Sequence, residues 1–214
     1  MTREFYISVD VEADGRCPGL NSMLQLGAVF YDDSGNVLEE FSRNLKPLDG
    51  AVQDKETMVW WAEQEKRRPG MWARLTSNQR DPQSVMNDFE RTVNRIGQRL
   101  SAKPLVVAFP AGFDFTYLYY YLCRFNGGSC VGFSALDLKT LGMALTNRAY
   151  HESVKRNYPK QWFNPKLKHT HDALDDARSQ GHMFWQMKRA LGELWKLVLT
   201  DSGKLDIAIE SAAK

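Results

Sequence analysis

Cysteine is scarce. Cys17, Cys123 and Cys130 make up the whole complement of 3, an odd number with no C-x-x-C pair. This argues against a disulfide framework and a thiolate metal site, and it predicts free thiols in a reducing cytoplasm. No apolar run approaches the roughly 18 residues that a membrane-spanning helix needs. The opening MTREFYISVD lacks the charged-then-apolar pattern of a signal peptide, so neither export nor membrane insertion is expected. Charge of one sign is not in excess either: a formal net charge of +2 neither demands nor excludes a nucleic-acid partner. No internal repeat, low-complexity tract or evident linker interrupts the 214 residues. That length suits one domain over residues 1–200 followed by a tail over 201–214, although two small domains would also fit.

Aromatic residues, by contrast, are plentiful, with 6 Trp, 8 Tyr and 11 Phe. They suit base stacking, and a large core accounts for them equally well. Hydrophobic residues at 43% and charged residues at 25% are ordinary for a folded domain.

Periodicity then orders the chain. Phe5, Ile7, Val9 and Val11 alternate with Tyr6, Ser8, Asp10 and Glu12, a strand period. LQLGAVFY (24–31) and the segment 37–45 read as further strands separated by a D-S-G-N turn, which predicts a three-stranded antiparallel meander. A helix is expected over 56–66, and another from the cap Asp81-Pro82 to Leu100, where Val85, Phe89, Val93 and Ile96 share a face. A short buried strand LVVAF (105–109) precedes a helix over 113–125. Another strand over 134–138 leads into a helix over 139–145, residues 147–168 read as irregular, and a final helix spans 172–197. Strands first, then strands alternating with helices, predict an α/β layered domain built on a mixed sheet.

Five residues carry the chemistry. Asp10 and Glu12, two apart on a strand, project from one face, where two carboxylates repel each other unless a cation neutralises them. An exposed sheet edge would be the structural reason for such a pair. Asp114 begins a helix after the bend Pro110-Ala111-Gly112, a place where the macrodipole alone would favour a carboxylate. Asp176 lies in the first turns of the last helix, with His171 on the incoming loop. His169 and His171 could instead form an H-x-H zinc site, but no third soft ligand has suitable spacing. An all-oxygen set favours Mg²⁺ or Mn²⁺. Four carboxylates suffice to hold two such ions about 4 Å apart for in-line phosphoryl displacement, with an imidazole to take the proton.

These segments, SVDVEADG, AGFDFTYLYYYL and HTHDALDDA, resemble the three motifs of the DEDDh 3′–5′ exonucleases, a ribonuclease H-like group that includes ribonuclease T and oligoribonuclease. The resemblance covers residues 5–187, and H-x-A-L-x-D is its most specific piece. It implies a ribonuclease H-like fold and a metal-dependent exonuclease that releases 5′-mononucleotides from single-stranded nucleic acid, RNA before DNA. It also implies that Asp10, Glu12 and Asp176 ligand one metal ion, with Asp10 bridging to a second. Asp114 would act through metal-bound water and His171 as general base. Several relatives are dimers, which makes a homodimer the expectation by analogy.

Within the group, ETMVWWAEQ resembles a W-W-x-x-Q segment of a bacterial and phage exoribonuclease branch. Either one Trp faces the substrate groove or both fill core. Ala13, Met23, Trp61, Gln64 and Phe113 are the residues expected to line that groove. The chain departs from the pattern at Phe109 and Pro110, where the second motif often carries His and Asn, and at Gln25, where Glu is frequent. Two other functions compete: a nucleic-acid-binding module with a decayed site, and a ribonuclease H-like endonuclease.

Overall fold

The first strand decides the architecture because it is buried on both faces. In the computed structural model, which describes residues 3–167 and 170–200, β1 (Glu4–Ala13) lies in the middle of a five-stranded sheet. It pairs antiparallel with β2 (Met23–Tyr31), which pairs antiparallel with β3 (Val37–Asn44). On its other side it runs parallel to β4 (Lys103–Ala108), which runs parallel to β5 (Ala135–Asp137). The order β3-β2-β1-β4-β5 is the expected mixed sheet, three antiparallel strands followed by parallel ones. A solvent-facing edge therefore does not explain Asp10 and Glu12.

Helices cover both faces. Phe5, Ile7, Val9 and Val11 pack with Val85, Phe89, Val93 and Ile96 of α3 (Pro82–Leu100) and with Tyr117, Leu118 and Tyr121 of α4 (Ala111–Asn126). The opposite face, with Tyr6, Val29, Tyr31 and Val107, packs on Ala177, Met183, Phe184 and Met187 of α6 (Ala173–Thr200). Each such side chain, fully buried, contributes roughly 1.5–3 kcal/mol. Ser8, between the two apolar sets, donates from Oγ to the Ala177 carbonyl at 2.8 Å, so the polar position on this face also serves to dock α6.

Local signals set the helix starts. Asp54 caps α1 (Lys55–Arg67) by accepting the Thr57 N–H at 2.8 Å, and Asp81 caps α3 by accepting the Ser84 N–H at 3.0 Å. A short helix, α2 (Met71–Leu75), follows Pro69-Gly70, where the sequence predicts only a stop. The Glu65 carboxylate restarts the chain there by accepting the N–H groups of Gly70 and Trp72. Between α5 (Leu138–Thr146) and α6 the irregular stretch contains three single 3₁₀ turns, Tyr150–Glu152, Lys155–Asn157 and Lys160–Trp162. Among the described residues no helix is long and apolar enough to cross a membrane. His169 and the expected tail over 201–214 lie outside the described residues.

Candidate active site

The site opens where two parallel strands part. Pairing of β1 with β4 stops at Ser8↔Val107, while β1 continues through Asp10 and Glu12, opposite Gly27 and Gln25 of β2. Past that point the β1 backbone needs new partners, and the site residues supply them. Gln180 of α6 donates from Nε2 to the Val9 carbonyl at 2.9 Å. Asp114, in the first turn of α4, accepts the Val11 N–H on Oδ1 at 3.1 Å. Asp114 is thus more than a favourable helix-start charge, since it ties α4 to the functional strand at the carboxyl ends of β1 and β4.

The other half of the site is brought in by α6. A Cβ on Gly27 would lie 2.1 Å from the Ala173 carbonyl carbon, so only glycine lets the start of this helix rest against the sheet. Beside it Gln25 clamps the same turn: Oε1 accepts the Ala173 N–H at 2.8 Å and Nε2 donates to Asp172 Oδ2 at 3.3 Å. The carboxylate of Asp176 accepts two successive backbone groups, Thr170 N–H at 2.9 Å and His171 N–H at 3.0 Å. His171 has φ 55, a left-handed conformation that turns the loop toward the sheet. As a result one ligand atom each of Glu12, His171 and Asp176 lie within 4.8 Å of one another, close enough to share a cation.

Burial strains this set electrostatically. Glu12, Asp114 and Asp176 are 7%, 4% and 1% exposed, and Asp10 is half-buried. Loss of solvent, followed by repulsion from Asp114, Glu12 and Asp176, pushes the Asp10 carboxyl well above its ordinary range, with Lys155 opposing the rise. Burial, then the charges of Asp176, Asp114 and Asp172, does the same to Glu12. The Asp114 carboxyl is pushed up to about 8 by burial, against the lowering effects of the Val11 N–H and Lys155. A divalent cation would relieve all three, and the oxygen-rich donor set suits a hard one.

The residues expected to line the groove divide. Met23 has no exposed surface and packs in the core beneath α4, its N–H donating to Tyr121 Oη at 2.7 Å, so it offers nothing to a base. Trp61, 3% exposed, is likewise internal, with Nε1 donating to the Ala13 carbonyl at 3.0 Å. Its neighbour Trp60 is the exposed member of the pair, at 40%. The Trp60 ring stands edge-on to His171 with centroids 4.9 Å apart. Ala13 is buried, Gln64 is half-buried on α1, and Phe113 is half-buried with its ring 5.2 Å from that of Tyr117. Trp60, the other member of the doublet, and Lys155 are not among the residues that the sequence singles out for the groove. The tryptophan signal was present as a doublet, whereas the lysine sits in a stretch without periodicity.

The sequence model of the 3′-5′ exoribonuclease Rv2179c-like domain matches residues 5–187. The 3′-5′ DNA exonuclease Cap18 of Escherichia coli is 30% identical over 183 residues, covering 85% of this chain and 90% of that protein. The fold is shared with the nuclease domain of 3′hExo, a DEDDh family member solved with rAMP, at TM-score 0.58, 10% identity and coverage of 87% and 92%. It is shared too with E. coli Exonuclease I bound to a dT13 oligonucleotide, at TM-score 0.58 and 17% identity. There this chain, 92% covered, spans 44% of the larger protein. By the extent of the family match and the likeness to Cap18, the chain belongs to the Rv2179c-like 3′-5′ exoribonuclease domain family.

Proposed function

We propose that this protein is a metal-dependent 3′–5′ exonuclease of single-stranded nucleic acid, acting on RNA before DNA. The observation that carries the reading is the convergence of Glu12, His171 and Asp176 within 4.8 Å, beside the mutually repelling carboxyls of Asp10 and Asp114. These groups come from one strand, two helices and a loop, and without a cation their proximity is costly. The donor set fits Mg²⁺ or Mn²⁺, with Asp10, Glu12, Asp114 and Asp176 as the residues to hold two ions. When bound, such ions supply charge neutralisation at the scissile phosphate and acidify the attacking water.

The protein's own groups then divide the work. His171 takes the proton of the water whose oxygen bonds to phosphorus, and the 3′-oxygen leaves, to be protonated by solvent. Trp60 takes the role expected of Trp61 from the sequence and offers its exposed ring edge to the terminal base or sugar, with Gln64 and Phe113 bordering the same approach. Ala13 leaves room for the terminal nucleotide and contributes backbone contacts only. The family description favours RNA, and the name of the E. coli relative favours DNA.

A time course on 5′-labelled and 3′-labelled RNA and DNA oligomers, with Mg²⁺, Mn²⁺ or chelator, tests this reading. Stepwise shortening from the 3′ end with release of mononucleotides is expected, faster on RNA. Full activity in chelator would defeat the mechanism, and cleavage of a circular strand would favour an endonuclease. Binding without cleavage in Mn²⁺ would favour a binding module.

A further inference from the structure

Lys155 lies against Phe109, the last residue before the bend into α4, and among the described residues it is paired to none of the carboxylates. Its positive charge is felt at Asp10 and Asp114, yet among the described residues its side chain makes no ion pair or hydrogen bond. Its ammonium lies over the Phe109 ring, 5.1 Å from the centroid. A cation held on an aromatic face keeps its N–H donors for another partner. Phe109 and Pro110, which lead from β4 into α4, have no side-chain donor of their own, and among the described residues Lys155 is the cation whose charge reaches both Asp10 and Asp114.

The turn that carries it is held in place. Ser153 is fully buried and donates from Oγ to the Lys139 carbonyl at 2.9 Å. Tyr158, also buried, shares a 2.6 Å hydrogen bond with Ser153 Oγ and packs its ring on Phe109 at 6.0 Å and Trp162 at 5.3 Å. Gly142 makes room for the Tyr158 hydroxyl, which a Cβ there would meet at 2.2 Å. A solvating lysine needs none of this support. A lysine aimed at a fixed anion does, because an anchored turn reduces the entropy lost on contact.

We propose that Lys155 is a substrate-binding residue whose ammonium grips the phosphate of the 3′-terminal nucleotide on the Asp10–Asp114 side of the site, the phosphate that departs with the released 5′-mononucleotide. Lys155 has this role only if the site is the exonuclease site proposed above. The acidic cluster would otherwise repel that phosphate, and a fixed ammonium offsets the repulsion where the strand's charge arrives.

The test compares Lys155→Met, which keeps the aliphatic stem over Phe109, with Lys155→Arg. Calorimetric binding of adenosine 5′-monophosphate and of adenosine, in Mg²⁺, isolates the phosphate. Lys155→Met is expected to weaken monophosphate binding by about 10- to 100-fold, the range of a charge-assisted hydrogen bond, and to leave adenosine binding unchanged. kcat/KM on an oligonucleotide should fall by a similar factor. Lys155→Arg should stay within about threefold of wild type, since it keeps the charge. Should Lys155→Met lower the melting temperature, Lys155→Gln repeats the measurement. Equal affinity of wild type and the neutral variant for the monophosphate overturns the proposal, as does equal loss of monophosphate and adenosine binding. Failure of the wild-type protein to release mononucleotides would instead defeat the exonuclease reading itself.

Discussion

The Asp176 carboxylate accepts the backbone N–H of His171 at 3.0 Å through Oδ2, while Oδ1 accepts that of Thr170 at 2.9 Å. One side chain therefore fixes the loop that carries the histidine and also belongs to the candidate metal cluster. The two duties separate by substitution. Asp176→Asn keeps one acceptor oxygen but loses the charge, and should lower metal-dependent activity by about a thousandfold or more with a small change in melting temperature. Asp176→Ala loses both acceptors and should also destabilise the fold by about 1–3 kcal/mol. Identical melting curves for the two variants would show that the loop does not depend on this carboxylate.

His171→Ala should reduce turnover by roughly two to four orders of magnitude. Wild-type activity is expected to rise through about pH 6–8, the window in which an imidazole titrates, and the variant should lose that rise. Single-turnover rates on a 5′-labelled oligomer measure both. An unchanged rate removes His171 from the base role.

The elevated carboxyls predict an unusual pH dependence of stability. An acid whose folded pKa lies above its unfolded value holds its proton longer in the native state. Native-state preference from Asp114, at about 8, is therefore full below the ordinary carboxylate range and is lost as pH rises toward 8. Asp10 and Glu12 shift in the same direction. In chelator the melting temperature should fall between about pH 5 and 8, and Mn²⁺ should restore it most at the alkaline end, where the ligands are ionised. Asp114→Asn keeps an acceptor for the Val11 N–H, removes the buried charge, and should melt higher than wild type at pH 8 in chelator. A flat wild-type curve, or no gain from Asp114→Asn, would contradict burial and mutual repulsion of the carboxyls as the origin of the strain.

Trp60 and Trp61 should separate binding from folding. Trp60→Ala is expected to raise KM by about 5- to 100-fold, the range of base–aromatic stacking, with melting unchanged and partial recovery in Trp60→Phe. Trp61→Ala removes a buried ring and its bond to the Ala13 carbonyl, and should cost about 3–5 kcal/mol of stability. A Trp60→Ala variant with wild-type KM would take the ring out of the substrate path.

Much of the fold and the carboxylate set was legible in the sequence because strand and helix periods report facing. The alternation from Phe5 to Glu12 placed Asp10 and Glu12 on one face, and the sheet keeps that arrangement. The pattern could not show that α6 covers the same face, since Ser8 and Gln180 meet only in three dimensions. Adjacent residues on a helix point about 100° apart, so a Trp doublet does not reveal which ring turns inward, and the burial of Trp61 reversed the choice. Met23 sits at a strand end near the site. The irregular pairing at Glu12/Ala13 and the packing under Tyr121 turn it into the core, a long-range effect absent from local spacing. α2 was hidden for a similar reason, because α1 does stop before Pro69-Gly70 and the Glu65 carboxylate then starts a new helix beyond it.

Gly27 links the sheet to the histidine loop, which makes Gly27→Ala the sharpest test of how the site is assembled. The added methyl would lie 2.1 Å from the Ala173 carbonyl carbon and 2.4 Å from the Leu174 nitrogen, both backbone atoms that cannot rotate away. Strand β2 cannot retreat either, because Gly27 is paired on both sides, with Asp10 and with Ser42. The start of α6 must lift instead, carrying Asp176 and the His171 loop away from Glu12. Overpacking of this kind costs about 1–3 kcal/mol, and a displacement of about 1 Å at a catalytic group lowers rate by up to about a hundredfold. Gly181→Ala is the control: its methyl would meet the Tyr31 hydroxyl at 2.3 Å, straining α6 beyond Asp176. Both variants should melt earlier than wild type, but only Gly27→Ala should also need more Mn²⁺ for half-maximal activity. If the two variants share the wild-type metal requirement, the approach of α6 to β2 does not govern the geometry of the carboxylate cluster.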